Sequence, residues 1–496
     1  MTVFSGYFIS EIILLLSAIG LLLRGSTHTK GNSLVKEKTA ALIVGVLAIV
    51  FCINDFQGLQ LEPIQDVFIN SSLTLFLRIY ILIASLFTII LSGINKSPDK
   101  SNESEYYFFL LLATFFMCLA VGSANLIAIF ICLLAASTAQ YFLIGFNKKS
   151  PIGVEAALKY YIFSFISGVC FLYATAILFF HVSSLNLNEI QTVLSTNPLD
   201  TFSGAMVFVL YLISFGFYFG VFPFHFVFPD IVQGTTTPVS LFYLLTTPLL
   251  GASVALSVYG GGLGSSWFNG EAAKSLGGIN TTFIVLSLGL LTCFFGALLS
   301  AVQTNLKRLL AYLAITHVGF MFLSLLAINP RAGSVLFYQL LVYLLSLSGI
   351  FCSFSFLSKE FHLDLPFNKR NEQSPLPIVD MFCFILFLSC LIGFPPFPGA
   401  IARWMSLELI FDQGYIFAAL AVLMAMIITC WTFFRVVAGW LSICTRDGNE
   451  TESKFLFSSI YKRKVYLVFL IPLCGLLIFC EPIIQFFKSH LETVFW

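Results

Sequence analysis

Apolar stretches close to 20 residues long recur from one end of the chain to the other. They fall near 8–23, 39–54, 72–93, 106–123, 125–146, 160–181, 204–222, 238–259, 281–302, 309–327, 334–357, 376–396, 415–441 and 465–487. In hydrocarbon such a run must satisfy its own backbone N–H and C=O groups, and an α-helix does so. The pattern predicts an all-α membrane protein of about 14 transmembrane helices. Composition agrees: 58% of the 496 residues are hydrophobic and 10% are charged, against roughly 25% charged in soluble domains. The first span lacks a basic leader and a small-residue cleavage site, so it reads as a retained helix and not as a signal peptide. The polar stretches 96–105, 182–203 and 446–464 read as connectors, too short to enclose a core.

Charge orients the spans. With the first loop placed inside, the inner loops collect most of the basic residues, among them Arg24, Lys148, Lys149, Lys307, Arg308, Lys359, Lys369, Arg370 and Lys464. The outer side holds Lys274, Arg331 and, in the tail, Lys488. This is a positive-inside bias, and it places both termini outside. Nothing in the sequence suits nucleic acid, which needs a basic groove with interleaved aromatics. Most of the 12 cysteines lie in apolar runs and form no C-x-x-C, so they read as small buried hydrophobes.

Two spans are interrupted. Gly216 to Val239 reads G-F-Y-F-G-V-F-P-F-H-F-V-F-P-D-I-V-Q-G-T-T-T-P-V, with a helix break at Pro223. A second break lies at Gly393-Phe394-Pro395-Pro396-Phe397-Pro398-Gly399. Proline inside a helix removes a hydrogen bond and clashes with the preceding turn. Broken helices and ionisable groups at membrane depth persist where they are buried in protein or line a wet cavity. Paired breaks point to a transporter built from inverted repeats; two ordinary proline kinks are the plainer reading.

The candidate polar residues cluster at these breaks. His225 lies just after Pro223; histidine as a residue type titrates near neutral pH, which makes it a candidate for relaying protons or organising water, beside a plain structural role. Asp230 reads as a helix cap, with Gln233 and Gly234 completing the turn. Lys307 and Arg308 sit at the inner surface, where a topology-fixing pair is the simple explanation. His317 lies deep in the next span, and a histidine there needs a hydrogen bond or a function. Arg403 follows the second break; of the nearby carboxylates Glu408 and Asp412, only Asp412 approaches its face of the helix. Glu11 and Arg78 read as isolated charges that snorkel or meet a neighbouring subunit.

In these residues the chain resembles the antiporter-like membrane subunits of respiratory complex I, and most of all the chain 2 branch, called subunit N in bacteria. The matching pieces run in one order over residues 8 to 440. They are Ser10-Glu11, Asn125 to Phe130, Glu155 to Tyr160, Pro223-Phe224-His225, Pro229-Asp230, Gln233-Gly234, Thr237-Pro238-Val239, Gln303-Thr304, Lys307 to Tyr312, His317-Val318-Gly319 and Gly393 to Pro396. The Pro-Pro stretch followed by a cation favours chain 2 over chain 4. The resemblance implies 14 helices with two inverted five-helix repeats, each holding an interrupted helix. The division is then an N-terminal three-helix region (1–105), a first repeat (106–260), a second repeat (261–441) and a C-terminal loop and last helix (442–496). It also implies half-channels for protons linked by one glutamate and several lysines.

Here the sequence departs from the family. The glutamate position holds Leu134, and the three lysine positions hold Tyr218, Pro248 and Arg403. Leucine and proline carry no titratable group. Tyrosine donates a hydrogen bond without charge. Arginine stays protonated and cannot relay by losing its proton. Losing the glutamate together with its lysine partner avoids stranding a lone buried charge. These departures predict a subunit without the usual glutamate–lysine route, structural or only weakly proton-conducting, with His225, His317, Arg403, Tyr218 and Lys307 as the remaining candidate path.

The chain itself shows no flavin, iron–sulfur or nicotinamide motif. By the resemblance NAD, FMN, iron–sulfur clusters and ubiquinone belong to partner subunits of a proton-translocating NADH:quinone oxidoreductase. The expected neighbours are the antiporter-like chain 4, chain 4L and lipids. A free-standing cation/proton antiporter subunit is one alternative, opposed by Leu134 and Tyr218. An unrelated secondary transporter is another, opposed by the scarcity of polar groups beyond Thr235, Thr236 and Thr237. The Phe- and Ile-rich composition favours a mitochondrial inner membrane over a bacterial one.

Overall fold

The computed structural model describes residues 9–27, 34–57, 67–69, 71–94, 103–197, 199–262, 281–326, 329–358, 378–447 and 460–495. They are helical almost throughout. In chain order the helices are α1 Ile9–Thr27, α2 Leu34–Gln57, α3 Ser72–Ile94, α4 Glu103–Gly122, α5 Leu126–Ile144, α6 Pro151–Val182, α7 Leu187–Thr196, α8 Thr201–Phe219, α9 Val227–Gly234 and α10 Thr237–Ala255. There follow α11 Thr281–Val302, α12 Leu306–Leu323, α13 Pro330–Leu357, α14 Ile378–Ile392, α15 Pro398–Asp412, α16 Ile416–Asp447, α17 Ile460–Ile478 and α18 Cys480–Phe495.

Among the described residues, ten helices are long and apolar enough to cross a membrane, and α17 with α18 makes an eleventh only as a pair bent by 79°. The protein is thus an all-α multi-span membrane protein. The apolar run near 465–487 is not one straight helix: α18 turns away from α17 at Phe479. Local chemistry sets several helix starts. Asn125, Ser150, Asn186, Asn305 and Asn329 each accept a backbone N–H from the first turn of the helix that follows, satisfying donors that would otherwise be orphaned.

The chain divides into two compact units. The first comprises residues up to Gly220, Gly234–Ile284 and the last few residues. In it α5 packs on α4 and α6, α6 on α8, and α10 against α3, α4 and α8. The second comprises Val221–Gln233 and Val285–Ser489. Its centre is α13, which packs on α14, α15 and α17, while α16 covers α14 and α15. α12 and α13 are buried nearly all round.

Both interrupted helices break by the same device. α8 ends at Gly220, whose φ is +74°, and the Phe222–Pro223 peptide is cis. α14 ends at Gly393, whose φ is +76°, and the Pro395–Pro396 peptide is cis. A left-handed residue stops a helix, and glycine takes that conformation without a Cβ clash. In each case a proline follows three residues after the glycine and bars resumption of the same helix. After the first break a single 3-10 turn, Phe224–Phe226, leads into the short α9; after the second, α15 starts at Pro398.

Candidate functional site

In the first unit the candidate positions are occupied by neutral side chains, beside which hydroxyl and amide groups are joined by hydrogen bonds. Tyr218, on the last turn of α8, is buried, and its hydroxyl lies 3.0 Å from Ser137 Oγ on α5. One turn further along α5, Gln140 is a hub. Its Oε1 accepts from Tyr160 of α6 at 2.5 Å. Its Nε2 donates to Thr246 Oγ1 and Thr247 Oγ1 of α10 at 3.2 and 3.4 Å. Ser167 donates to the Ser214 carbonyl at 3.0 Å, and Thr175 meets the Tyr211 hydroxyl at 3.1 Å. Buried polar groups left unpaired are costly, and these are paired.

Leu134 faces Gly168 of α6: a Cβ on that glycine would come within 2.9 Å of Leu134 Cδ2. It fills a contact between α5 and α6. Pro248 is buried inside α10, next to Thr247. Sequence reasoning missed Ser137, Gln140, Tyr160, Thr246 and Thr247. The available signal was polar residues spaced by three or four along otherwise apolar helices.

Glu11 and Arg78, expected to be isolated, form an ion pair in the first unit. Arg78 Nε lies 3.4 Å from Glu11 Oε1, with the two side chains 1% and 2% exposed. Ser10 donates to the other carboxylate oxygen at 2.6 Å. By charge-derived topology α1 and α3 both run from outside to inside, and both residues lie in their outer turns, so the pairing was readable from depth.

The second unit holds a buried charge beside its break. Arg403, in α15, is fully buried. Its Nη1 donates to Thr429 Oγ1 and its Nη2 to the Leu391 carbonyl, each at 3.1 Å. The guanidinium lies over the Phe320 ring, 4.8 Å from the centroid, a cation–π contact that offsets part of its desolvation. Among the described residues no carboxylate pairs with it. Glu408 and Asp412 turn instead to Arg331, each at 2.7 Å, on an exposed face.

His317 is one turn from Phe320 and fully buried. Its Nε2 is 3.4 Å from the Gln339 carbonyl, and its ring stacks on Tyr343 at 5.2 Å. The Gln339 side chain donates to the Ala402 carbonyl at 3.2 Å and to Ser406 Oγ, and accepts from Ser324 at 3.2 Å. Arg403, His317 and Gln339 therefore form one polar centre beside the second break.

His225 stands apart from that centre. It is half-buried between Phe222 and Phe295, with ring centroids 5.5 and 5.7 Å away. Asp230, read from sequence as a cap, lies 3.6 Å from Arg308 Nη2, and Arg308 Nη1 donates to Gln233 at 2.9 Å. Arg308 thus staples α9 to α12. Lys307 is partly buried in the first turn of α12. Among the described residues no group of three His, Cys, Asp or Glu is placed to hold a metal ion.

A multi-span helical protein with two helices broken by glycine and proline, and polar side chains beside the breaks, has the architecture of ion-translocating membrane subunits. Residues 123–429 match the family NADH:quinone oxidoreductase/Mrp antiporter, TM, and the chain belongs to that family. It is similar to NADH-quinone oxidoreductase subunit N of Hydrogenovibrio crunogenus, 26% identical over 436 residues that cover 86% of this chain and 87% of that protein. The subunit N of Coxiella burnetii is 27% identical over 439 residues, with the same coverages. Among solved structures, a chain of respiratory complex I from Thermus thermophilus aligns with a TM-score of 0.74 at 21% identity, covering 96% of this chain and 98% of that one. A chain of an archaeal membrane-bound sulfane sulfur reductase aligns with a TM-score of 0.83 at 15% identity, covering 98% and 97%.

These relatives correct one expectation. They are bacterial and archaeal proteins, which places the chain in a bacterial inner membrane and not a mitochondrial one. The Phe and Ile content that pointed to an organelle reflects lipid-facing and interhelical packing, which any bilayer demands.

Proposed function

We propose that the chain is the subunit-N-type, antiporter-like component of the membrane arm of a respiratory NADH:quinone oxidoreductase. Around the family charge positions its first unit holds a neutral hydrogen-bonded network and acts there as a spacer. The complex translocates protons, and this chain performs no redox chemistry; NAD, FMN, iron–sulfur clusters and ubiquinone belong to partner subunits. We further propose the full family arrangement of about 14 helices, two inverted five-helix repeats, the boundaries 1–105, 106–260, 261–441 and 442–496, and neighbours of the chain 4 and chain 4L types. The shared glycine and proline spacing at both breaks supports the repeat relation.

One observation carries this reading: three of the four family charge positions are Leu134, Tyr218 and Pro248, and the side chains around them form an uncharged network centred on Gln140. Proton carriage is thereby confined to the second unit, along His225, His317 and Arg403, with Lys307 at its inner end and Tyr218 reduced to a neutral donor. A cation/proton antiporter would need a carboxylate and a lysine where Leu134 and Tyr218 stand.

The test uses Gln140→Leu in the intact complex, purified at native mass and sealed into vesicles. The substitution strands the Tyr160 hydroxyl, at a cost of about 1–3 kcal/mol in stability, and leaves the protons moved per electron pair unchanged. A lower ratio in the assembled variant overturns the spacer reading.

A further inference from the structure

The two breaks are closed by different hydrogen bonds. At the second, the amides of Gly393, Phe394 and Phe397 are all taken by carbonyls of the same segment, those of Cys390, Ser389 and Phe394, at 3.1, 2.9 and 3.1 Å. At the first, the Gly220 amide reaches the Phe217 carbonyl at 3.0 Å, but the Phe222 amide has no carbonyl partner among the described residues. It donates instead to Thr292 Oγ1 of α11 at 3.0 Å. Thr292 is fully buried at the middle of α11. The amide therefore sits near mid-membrane, where bulk water does not replace a lost acceptor.

A threonine inside a helix often donates to the carbonyl four residues back, and Thr292 does so to Leu288 at 2.7 Å. That bond uses its one hydroxyl hydrogen. The oxygen is left as an acceptor, which is what an amide arriving from another element requires. Phe295 lies three residues further along α11, on the same face. Its ring is nearly parallel to those of Phe222 and His225, at 5.2 and 5.7 Å with interplanar angles of 10° and 23°. Phe222 and His225 also stack on one another, at 5.5 Å and 20°. α11 thus grips the break twice, through the Phe222 main chain and through the rings of Phe222 and His225. All four residues belong to the second unit.

We propose that Thr292 is the positioning residue for His225. By accepting the Phe222 amide it fixes where the Phe222 ring lies, and that ring with Phe295 fixes the imidazole beside the break. Without the acceptor the amide turns to find another, Phe222 turns with it, and the imidazole loses a stacking partner. Thr292 carries no proton itself, because its hydrogen is committed to the Leu288 carbonyl. The inference deepens the function proposed above, in which His225 belongs to the proton path, and rests on it.

The experiment uses the whole complex with Thr292→Val, Thr292→Ser, His225→Gln and the Thr292→Val/His225→Gln pair. Assembly is read from native mass. The position of the imidazole is read from the rate at which diethyl pyrocarbonate modifies His225, followed by peptide mass spectrometry. Pumping is read as protons per electron pair in sealed vesicles. Thr292→Val removes the acceptor at nearly constant shape; it is expected to speed modification of His225 and to lose part of the proton ratio. Thr292→Ser keeps the acceptor and restores both. In the His225→Gln background Thr292→Val causes no further loss, since it acts through the imidazole. A merely structural threonine would lower assembly and leave the modification rate of assembled complex unchanged. An assembled Thr292→Val complex with His225 modified at the wild-type rate overturns the proposal. Should Thr292→Val not assemble, Thr292→Cys, whose sulfur is a weaker acceptor, takes its place under the same criterion. A His225→Gln complex with the full proton ratio instead removes His225 from the path; the functional reading then falls, while the modification rate still decides whether Thr292 holds the ring.

Discussion

Glu11 and Arg78 allow a sharp energetic test, because neither can be removed without leaving the other buried. Arg78→Met keeps the length of the side chain and leaves the Glu11 carboxylate with the Ser10 hydroxyl on one oxygen. Breaking a buried pair from one side costs about 3–5 kcal/mol, which is about two to three and a half powers of ten in the folded equilibrium. The two single variants differ in kind. A stranded carboxylate escapes by taking up a proton, so its penalty is capped. The Arg78 guanidinium that Glu11→Leu leaves behind stays charged. Glu11→Leu is therefore the more damaging change. Removing both partners abolishes the stranded charge, and the double variant lies near the wild type or up to about 4 kcal/mol above it. The assay is the temperature at which the chain leaves the intact complex in lipid nanodiscs, read as a double-mutant cycle. The ordering expected is Glu11→Leu lowest, Arg78→Met next, the double variant highest of the three. Additive losses in the double variant, or single variants as stable as the wild type, refute the argument.

Two further substitutions probe the second break and its outer surface. Gly399→Ala puts a Cβ 1.7 Å from the Cys390 carbonyl oxygen, a backbone atom that cannot rotate aside; assembled complex should fall sharply on native gels, and normal assembly would show that α14 and α15 do not approach as described. Arg331→Ala removes both contacts to Glu408 and Asp412, but these side chains are about half exposed. Exposed pairs contribute about 0.2–1 kcal/mol each and are screened by salt, so dissociation temperature should drop by only a few degrees, and less at high ionic strength.

The helices were legible in the sequence because membrane spans are set by length and apolarity, which are local properties. The two breaks were legible because glycine and proline act on their own backbone. The side-chain partnerships were not, since they join residues far apart in the chain. Asp230 looked like a cap because capping is a local role; its partner Arg308 is 78 positions away in sequence. Arg403 was weighed against Glu408 and Asp412, its neighbours on the same helix, whereas the groups that hold it are Thr429, Leu391 and Phe320. The first unit gave the opposite difficulty. Leu134, Tyr218 and Pro248 announced what had been lost, and nothing local announced that Gln140 would tie α6 to α10.

The contrast between the units follows from what each polar group demands once buried. In the first unit, hydroxyl and amide groups satisfy one another, and such a network persists at any physiological pH because none of its members changes charge. It can hold helices in register and gives a proton no place to rest as a charge. In the second unit Arg403 keeps a permanent charge that hydroxyl, backbone and ring contacts hold in place, with the His317 imidazole buried beside it. The first unit's Glu11 and Arg78 neutralise one another as an ion pair, whereas Arg403 has no carboxylate partner among the described residues; an uncompensated buried cation, more than any difference in helix packing, distinguishes the second unit.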